Sequence, residues 1–248
     1  MIQSAPLLSK SNIDIMTFDS FTFYIKVRIL RLITRIMAWL DRRRKKALSL
    51  TPNSRAIIPA TVFTSPSNFE VFFYHPSAYN QKTTKKAQHP VVIVLHGGGW
   101  CVGHAHGERF IATLTARGAV VAAVNYRLSP DHPCPASLTD CLDAILYIWK
   151  NAATLGIDKY RTYITGFSVG GQMVFAALFM LRKALQDEDP RIDRAALGTV
   201  KGITAFYPPM GLTKSRAERA ASNPEFVAPK KPRSSSKFIG PIFDQAYF

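Results

Sequence analysis

Cysteine is scarce in this sequence, and N-glycosylation acceptors are absent from it. The chain holds only three cysteines, Cys101, Cys134 and Cys141, and no Asn is followed two positions later by Ser or Thr. Three cysteines cannot form the disulfide framework of a small secreted protein. Residues 1–14, MIQSAPLLSKSNID, also lack the basic start and the uninterrupted apolar stretch of a signal peptide. These absences favour an intracellular protein without a signal peptide.

Acidic residues are outnumbered, since 32 Lys and Arg against 16 Asp and Glu give a formal net charge of +16. The excess lies at the two ends of the chain. Residues 1–50 hold ten basic against three acidic side chains, and residues 212–248 hold seven against three. A nucleic-acid interface needs basic residues clustered on the folded body. The distribution therefore argues against a nucleic-acid partner.

A long uninterrupted apolar run is missing too, but residues 21–46 have the periodicity of one amphipathic helix. The basic and apolar positions fall on different faces, namely Arg28, Arg31, Arg35 and Arg42 on one and Ile29, Ile33, Ile36 and Leu40 on another. A positive charge at the membrane centre costs roughly 2.5–3.5 kcal/mol, which argues against a membrane span. One interpretation is a helix in the membrane interface, with Trp39 and the RRRKK run at the headgroups. The other is a cap helix packed on the following domain, with solvated arginines.

Short apolar strands alternate with helices through the middle of the chain. Strands are predicted at residues 56–63, 69–76, 91–95, 119–125, 161–166 and 199–207, and helices at 105–117, 137–154 and 169–186. This alternation is typical of βαβ units and a buried, mostly parallel sheet. We predict an α/β domain at residues 51–211, after an N-terminal helical segment at 1–50 and before an irregular basic tail at 212–248.

Two glycine-rich elements directly follow predicted strands. HGGGW occupies residues 96–100, and TGFSVGG occupies residues 165–171 at the start of a predicted helix. In the second element Gly166, Ser168 and Gly170 form G-x-S-x-G. A serine on a tight strand-to-helix turn leaves no room for side chains two positions away, and its hydroxyl then stands above the sheet. The pattern indicates a nucleophilic serine.

The triple glycine fits the second requirement of acyl transfer. The tetrahedral intermediate carries a negative oxygen, and backbone N–H groups without a nearby Cβ can approach it closely. We predict an oxyanion hole made by the amides of Gly98, Gly99 and Val169. A tight turn without a catalytic role is the alternative for the glycines.

These two elements and NYRLSPDHPCPASLTD at residues 125–140 resemble the hormone-sensitive-lipase-like branch of the α/β-hydrolase fold. The resemblance is specific over residues 91–171. The sequence departs from that family's pattern with Asp131 for Glu, Phe167 for Asp and Val169 for Ala, of which Phe167 alters hydrogen bonding around the serine. The resemblance implies a three-layer fold, a carboxylesterase or lipase acting on small-molecule or lipid esters, and no metal or cofactor. The family that the sequence resembles also includes members that bind a ligand without catalysis.

The base of a serine triad is missing from its usual place. In this fold the order along the chain is Ser, then Asp or Glu, then His. All six histidines here precede Ser168, and no catalytic acid can be assigned. Losing the histidine costs on the order of 10⁶ in turnover. We therefore expect a weak or inactive enzyme, either a truncated gene product that lacks its last strands or a non-catalytic ligand-binding protein. Replacement of the base by His104 or His106 is a further alternative.

Other notable residues have structural interpretations. Tyr126, Arg127 and Asp140 are predicted to brace the sheet and its loop. Cys101, next to the glycines, is predicted to be a small buried apolar residue rather than a nucleophile.

Overall fold

The structure of the chain is a computed structural model. It describes residues 21–44, 50–59, 67–77, 79, 89–105 and 108–210. Helices and strands alternate through them as the sequence predicts. The helices are α1 (Phe21–Arg44), α2 (Glu108–Ala116), α3 (Ala136–Lys150) and α4 (Val169–Gln186). The strands are β1 (Ser54–Pro59), β2 (Asn68–Tyr74), β3 (His89–Leu95), β4 (Val120–Asn125), β5 (Ile157–Phe167) and β6 (Val200–Phe206).

The strands form one mixed sheet with the order β1-β2-β4-β3-β5-β6. β2 runs antiparallel to β1 and β4, whereas β4, β3, β5 and β6 run parallel to one another. The last residue of β3, Leu95, pairs with Gly166 near the end of β5. Because parallel strands end at the same edge of a sheet, the loops that follow β3 and β5 start side by side.

Helices cover both faces of the sheet, so the domain has three layers. Alternate side chains of β3 point to opposite faces, and Ile93 and Val94 lie in two different apolar clusters. Ile111 of α2 packs into the cluster that contains Val94, while α1, α3 and α4 contribute to the cluster that contains Ile93. This arrangement confirms the predicted three-layer α/β fold with a mostly parallel sheet.

A buried ion pair fixes the segment after β4. Arg127 donates from Nε and Nη2 to the carboxylate of Asp140 at 2.7–3.0 Å, and its backbone N–H donates to the same carboxylate at 2.9 Å. Both side chains are buried. A bidentate guanidinium–carboxylate pair satisfies the charges that burial would otherwise penalise. The predicted bracing role of these two residues is confirmed.

The observed boundaries differ from the predicted ones mainly at loops. β5 starts at Ile157 rather than at residue 161, and α3 ends at Lys150 rather than at residue 154. α4 has the predicted bounds. The predicted strand continuation at 60–63, the tail at 212–248 and residues 1–20 lie outside the described residues. The proposed division into segments at 50 and 211 stays a prediction.

Helix α1 packs on the domain along one side only. Phe23, Val27 and Leu30 are buried in the main apolar cluster, at a spacing that places them on one helix face. The prediction that this helix packs on the domain as a cap is therefore confirmed. The prediction that all its arginines are solvated was wrong, because Arg31 donates to two backbone carbonyls of the domain. None of the described helices combines the length and apolar composition needed to cross a bilayer.

Candidate functional site

The two glycine-rich elements are in contact at the carboxyl edge of the sheet. A Cβ atom built on Gly97 would lie 3.3 Å from Cβ of Ser168 and 2.9 Å from the carbonyl oxygen of Phe167. The loop after β3 can come this close to the loop after β5 because glycine occupies position 97. The structure therefore brings together the two motifs that the sequence separates by about 70 residues.

Ser168 occupies a strained turn between β5 and α4. Its φ and ψ are 52° and −122°, a combination that side-chain-bearing residues rarely adopt. The flanking glycines are required by close approach, since a Cβ on Gly166 would lie 2.3 Å from the carbonyl of Gly170, and one on Gly170 would lie 2.2 Å from the carbonyl oxygen of Leu95. The Ser168 amide donates to the Phe206 carbonyl at 2.9 Å and ties the turn to β6. These backbone angles and close contacts are those of a tight strand-to-helix turn, in which Ser168 itself is half-buried.

Several backbone amides around this turn have no partner in the part of the chain that the structure describes. The N–H groups of Gly98, Gly99 and Val169 donate to none of its acceptors. Val169 is the first residue of α4, where N–H groups lack an acceptor within the helix. Gly98 has a φ of 131°, and a Cβ there would lie 1.9 Å from the Val102 carbonyl oxygen, so only glycine fits. Such unpaired donors are suited to an anionic oxygen.

An aromatic cluster takes the place of polar contacts beside Ser168. The ring of Phe167 stacks on Phe206 with centroids 4.7 Å apart and meets the edge of Phe110 at 5.2 Å. Offset-stacked and edge-to-face ring pairs at these distances are favourable. Aromatic packing of Phe167 therefore stabilises the turn at the position where the family pattern has an aspartate.

His96 lies next to the glycine loop but has the wrong properties for a general base. Its Nδ1 is 2.8 Å from the Gly97 carbonyl, which can only accept, so Nδ1 carries the proton. Its Nε2 is inaccessible to solvent and has no hydrogen-bond partner among the described residues. Burial lowers the pKa of His96 to about 4, despite the hydrogen bond to Gly97. A base with that pKa is mismatched to proton transfer near neutral pH.

Tyr126 fixes the orientation of His96. The two rings stack with centroids 4.0 Å apart, and the Tyr126 hydroxyl donates to the His96 carbonyl at 2.6 Å. Tyr126 thus braces the start of the glycine loop, as predicted. Cys101 is fully buried and burial raises its pKa to about 12, which confirms that it is an apolar residue and not a thiolate nucleophile.

The loop after β3 contains two further histidines, His104 and His106. His104 is exposed and its ring stacks on Phe72 at 5.6 Å. His106 lies outside the described residues. A role for either one as a replacement base stays a prediction.

A cavity of about 1150 Å³ lies between α1, the first two strands and the loops that follow β3 and β4. It reaches the glycine loop through His96, Gly97 and Gly103, but Ser168 is not among its lining residues. Gly97 is thus shared by the cavity wall and the contact with the serine. The cavity is slightly larger than the range typical of small-molecule sites, roughly 300–1,000 Å³.

Arg31 of α1 connects the cap helix to the loops that follow β3 and β4, which the sequence did not reveal. Its Nε donates to the Cys101 carbonyl at 2.8 Å, its Nη2 to the Ser129 carbonyl at 2.7 Å, and its Nη1 to Asp131 at 2.5 Å. Burial raises the pKa of Asp131, but the hydrogen bonds and charge of Arg31 outweigh this and hold the pKa below its usual value. The sequence signal that could have identified Arg31 is its position next to Leu30, at the border of the helix face that carries Phe23 and Val27.

Comparison with known protein families defines the class of protein. The family described as alpha/beta hydrolase fold matches residues 92–239, so the chain belongs to that family. Relatives include carboxylesterase NlhH of Mycobacterium tuberculosis, 42% identical over 86 residues that cover 34% of this chain and 27% of that enzyme. An arylesterase of Saccharolobus solfataricus is 34% identical over 100 residues, covering 40% of this chain and 33% of that protein. Relatives of this chain thus include proteins named as a carboxylesterase and as an arylesterase.

Solved structures show the same fold. A bacterial heroin esterase superposes with a TM-score of 0.62 at 21% identity, over 90% of this chain and 62% of that one. A hyperthermophilic esterase from Pyrobaculum calidifontis superposes with a TM-score of 0.61 at 23% identity, over 90% and 63%. The matches with the curated relatives span about a third of their length or less, and the chain spans less than two thirds of these two structures.

Proposed function

We propose that the chain carries the nucleophile and the oxyanion hole of a serine ester hydrolase. The Ser168 hydroxyl attacks the carbonyl carbon of a small-molecule or lipid ester, and an acyl-enzyme forms as the alcohol leaves. Water then releases the acid. The contact between Gly97 and the Ser168 turn supports this proposal most directly, because it places the glycine loop beside a serine held in a strained turn.

The amides of Gly98, Gly99 and Val169 stabilise the oxyanion in this proposal. Each lacks a hydrogen-bond partner among the described residues. One such donor is worth on the order of 10²–10³ in turnover. The positive end of α4 adds to this because the helix begins directly after the serine.

The turnover of the 248-residue chain is expected to be low. No histidine follows Ser168, and His96 is held neutral with its free nitrogen buried. A triad without its histidine keeps a residual rate enhancement on the order of 10³–10⁴ over water from binding and the oxyanion hole. The same observations favour a second candidate, a protein that binds ester-like ligands in the cavity without turnover.

A fluorophosphonate probe separates the two candidates, because it reacts with an activated serine and not with an idle one. Labelling that is lost in Ser168→Ala supports the hydrolase. Ser137→Ala is the matched control, since Ser137 is a buried serine of α3 and not part of the Ser168 turn. If the folded chain is not labelled while a non-reactive ester analogue binds saturably, the hydrolase proposal is wrong for this chain and the ligand-binding candidate holds.

A further inference from the structure

Helix α1 has a second apolar face that points away from the domain. The buried face holds Phe23, Val27 and Leu30, while Leu32 and Met37 on the other side are 59% and 64% exposed. We define the outer face as eight exposed large side chains, namely Ile25, Ile29, Leu32, Ile33, Ile36, Met37, Trp39 and Leu40. At ~100° per residue they cover roughly 160° of the helix circumference. The domain therefore satisfies only one of the two apolar faces of this helix.

The outer face is too large and continuous for an ordinary solvated surface. Isolated exposed apolar residues are common, but contiguous apolar patches mark interaction sites. The eight residues follow the helical repeat over residues 25–40, so they form a single stripe. An occupant of apolar chemistry is needed along the whole stripe.

The charges beside the stripe indicate what this occupant is. Residues 21–40 contain four basic side chains and no acidic one, and a run of five basic residues follows at 42–46. Lys26, Arg28 and Arg35 are exposed in the structure. An amphipathic helix with this composition and a Trp binds the boundary of headgroups and acyl chains. Each Lys or Arg near an anionic lipid surface strengthens binding by roughly fivefold.

The chain itself offers poorer occupants. A second copy would place one strongly basic helix near another, and like charges across an interface are repulsive. Residues 212–248 carry seven basic against three acidic residues, so they share the sign of the helix. Anionic lipid combines apolar chemistry with the complementary charge.

We propose that the outer face of α1 docks on an anionic membrane surface, with the helix lying in the interface. The opposite face and Arg31 keep the helix attached to the domain. Arg31, Thr34 and Arg35 also line the cavity, so docking brings the cavity close to the bilayer. Uptake of lipid esters by this route rests on the proposed function, whereas docking itself does not.

Flotation of the full chain with vesicles tests the docking. We expect flotation with phosphatidylcholine vesicles that contain phosphatidylserine, little with phosphatidylcholine alone, and a decrease at raised salt. Leu32→Asp with Ile36→Asp is expected to lower the bound fraction by roughly tenfold or more. Leu32→Asn with Ile36→Asn should lower it less but clearly, because it removes apolar contacts without adding charge. These side chains are exposed, so circular dichroism and thermal unfolding should stay unchanged.

The matched control is Tyr160→Asp with Phe179→Asp, which replaces two exposed aromatic residues outside α1 and changes the net charge equally. It should float like the unmodified chain. Absence of flotation, or equal flotation of all variants, overturns the proposal. A dimer in light scattering that only the Leu32/Ile36 variants dissociate, without flotation, also overturns it and assigns the outer face to a second copy. Fluorophosphonate labelling reads the serine separately, so failure of either proposal is distinguishable.

Discussion

The backbone of Phe167 leaves no room for a side chain at Gly97. A Cβ atom at position 97 would lie 2.9 Å from the Phe167 carbonyl oxygen, which is closer than real Cβ contacts. The obstacle is backbone rather than a flexible side chain, so the glycine loop and the serine turn must separate to accept it. Their spacing is therefore set by one missing methyl group.

Gly97→Ala is expected to reduce both the activity and the stability of the chain. A displacement of the loop by about 1 Å can cost on the order of 10² in rate, and overpacking costs about 1–3 kcal/mol of unfolding free energy. The rate of fluorophosphonate labelling and chemical denaturation measure the two effects. Gly202→Ala in β6 is the control, because a Cβ there meets only the ring of Tyr163 at 3.3 Å. Unchanged labelling in Gly97→Ala would contradict a functional contact between the loops.

The backbone strain at Ser168 predicts different stabilities for two variants that lack the hydroxyl. Backbone angles of 52° and −122° are costly for any residue with a Cβ, by about 1–3 kcal/mol, and far less so for glycine. Ser168→Gly should therefore have a larger unfolding free energy than Ser168→Ala, by about 1 kcal/mol. Urea denaturation of both variants checks this. Equal stabilities would show that the turn is not strained.

The fold could be predicted from the sequence because its elements carry strong local patterns. β3 is a continuous apolar run buried on both faces, and α4 starts at the serine turn whose glycines mark its boundary. The start of β5 was missed because Asp158, Lys159 and Tyr160 are polar or exposed at the sheet end and look like a loop. Propensity is overridden there by tertiary contacts, since Ile157 pairs with His89 of β3 and the Lys159 carbonyl accepts from the Thr199 N–H at 2.9 Å.

The parts of the site that depend on long-range contacts could not be predicted. The serine turn and the triple glycine are recognisable in the sequence from the spacing of their residues, and the structure places the two elements in contact. Arg31 looks like any other arginine of an amphipathic helix, and only the packing of α1 turns it toward Cys101 and Ser129. The aromatic cluster around Phe167 was hidden for the same reason, because Phe206 is distant in sequence.

Arg31 is expected to hold the cap helix on the domain. Arg31→Ala removes donors from two backbone carbonyls and breaks the ion pair with Asp131. We expect a loss of about 2 kcal/mol of unfolding free energy. Arg28→Ala is the matched control, since Arg28 also pairs with Asp131 but is largely exposed, and exposed ion pairs contribute little to stability. Similar losses in both variants, measured by urea denaturation, would contradict the assignment.

His96 should make the stability of the fold fall at mildly acidic pH. Burial lowers its pKa from the ordinary 6.5 to about 4, so the unfolded chain binds the proton more readily than the folded chain. The unfolding free energy contributed by this group is complete above pH 6.5 and is lost as the pH falls toward 4. The full loss is about 3 kcal/mol for a shift of this size.

The comparison with His96→Gln isolates this group, since glutamine cannot take up a proton. We expect the unmodified chain to lose stability more steeply than the variant between pH 6.5 and 4, in urea denaturation at several pH values. Asp131 loses its own contribution at lower pH, because its pKa is held below the usual value. NMR titration of the His96 ring provides a direct check, and a midpoint near 6.5 would show that the imidazole is accessible to protons. In that case His96 would regain the properties of a candidate base next to Ser168.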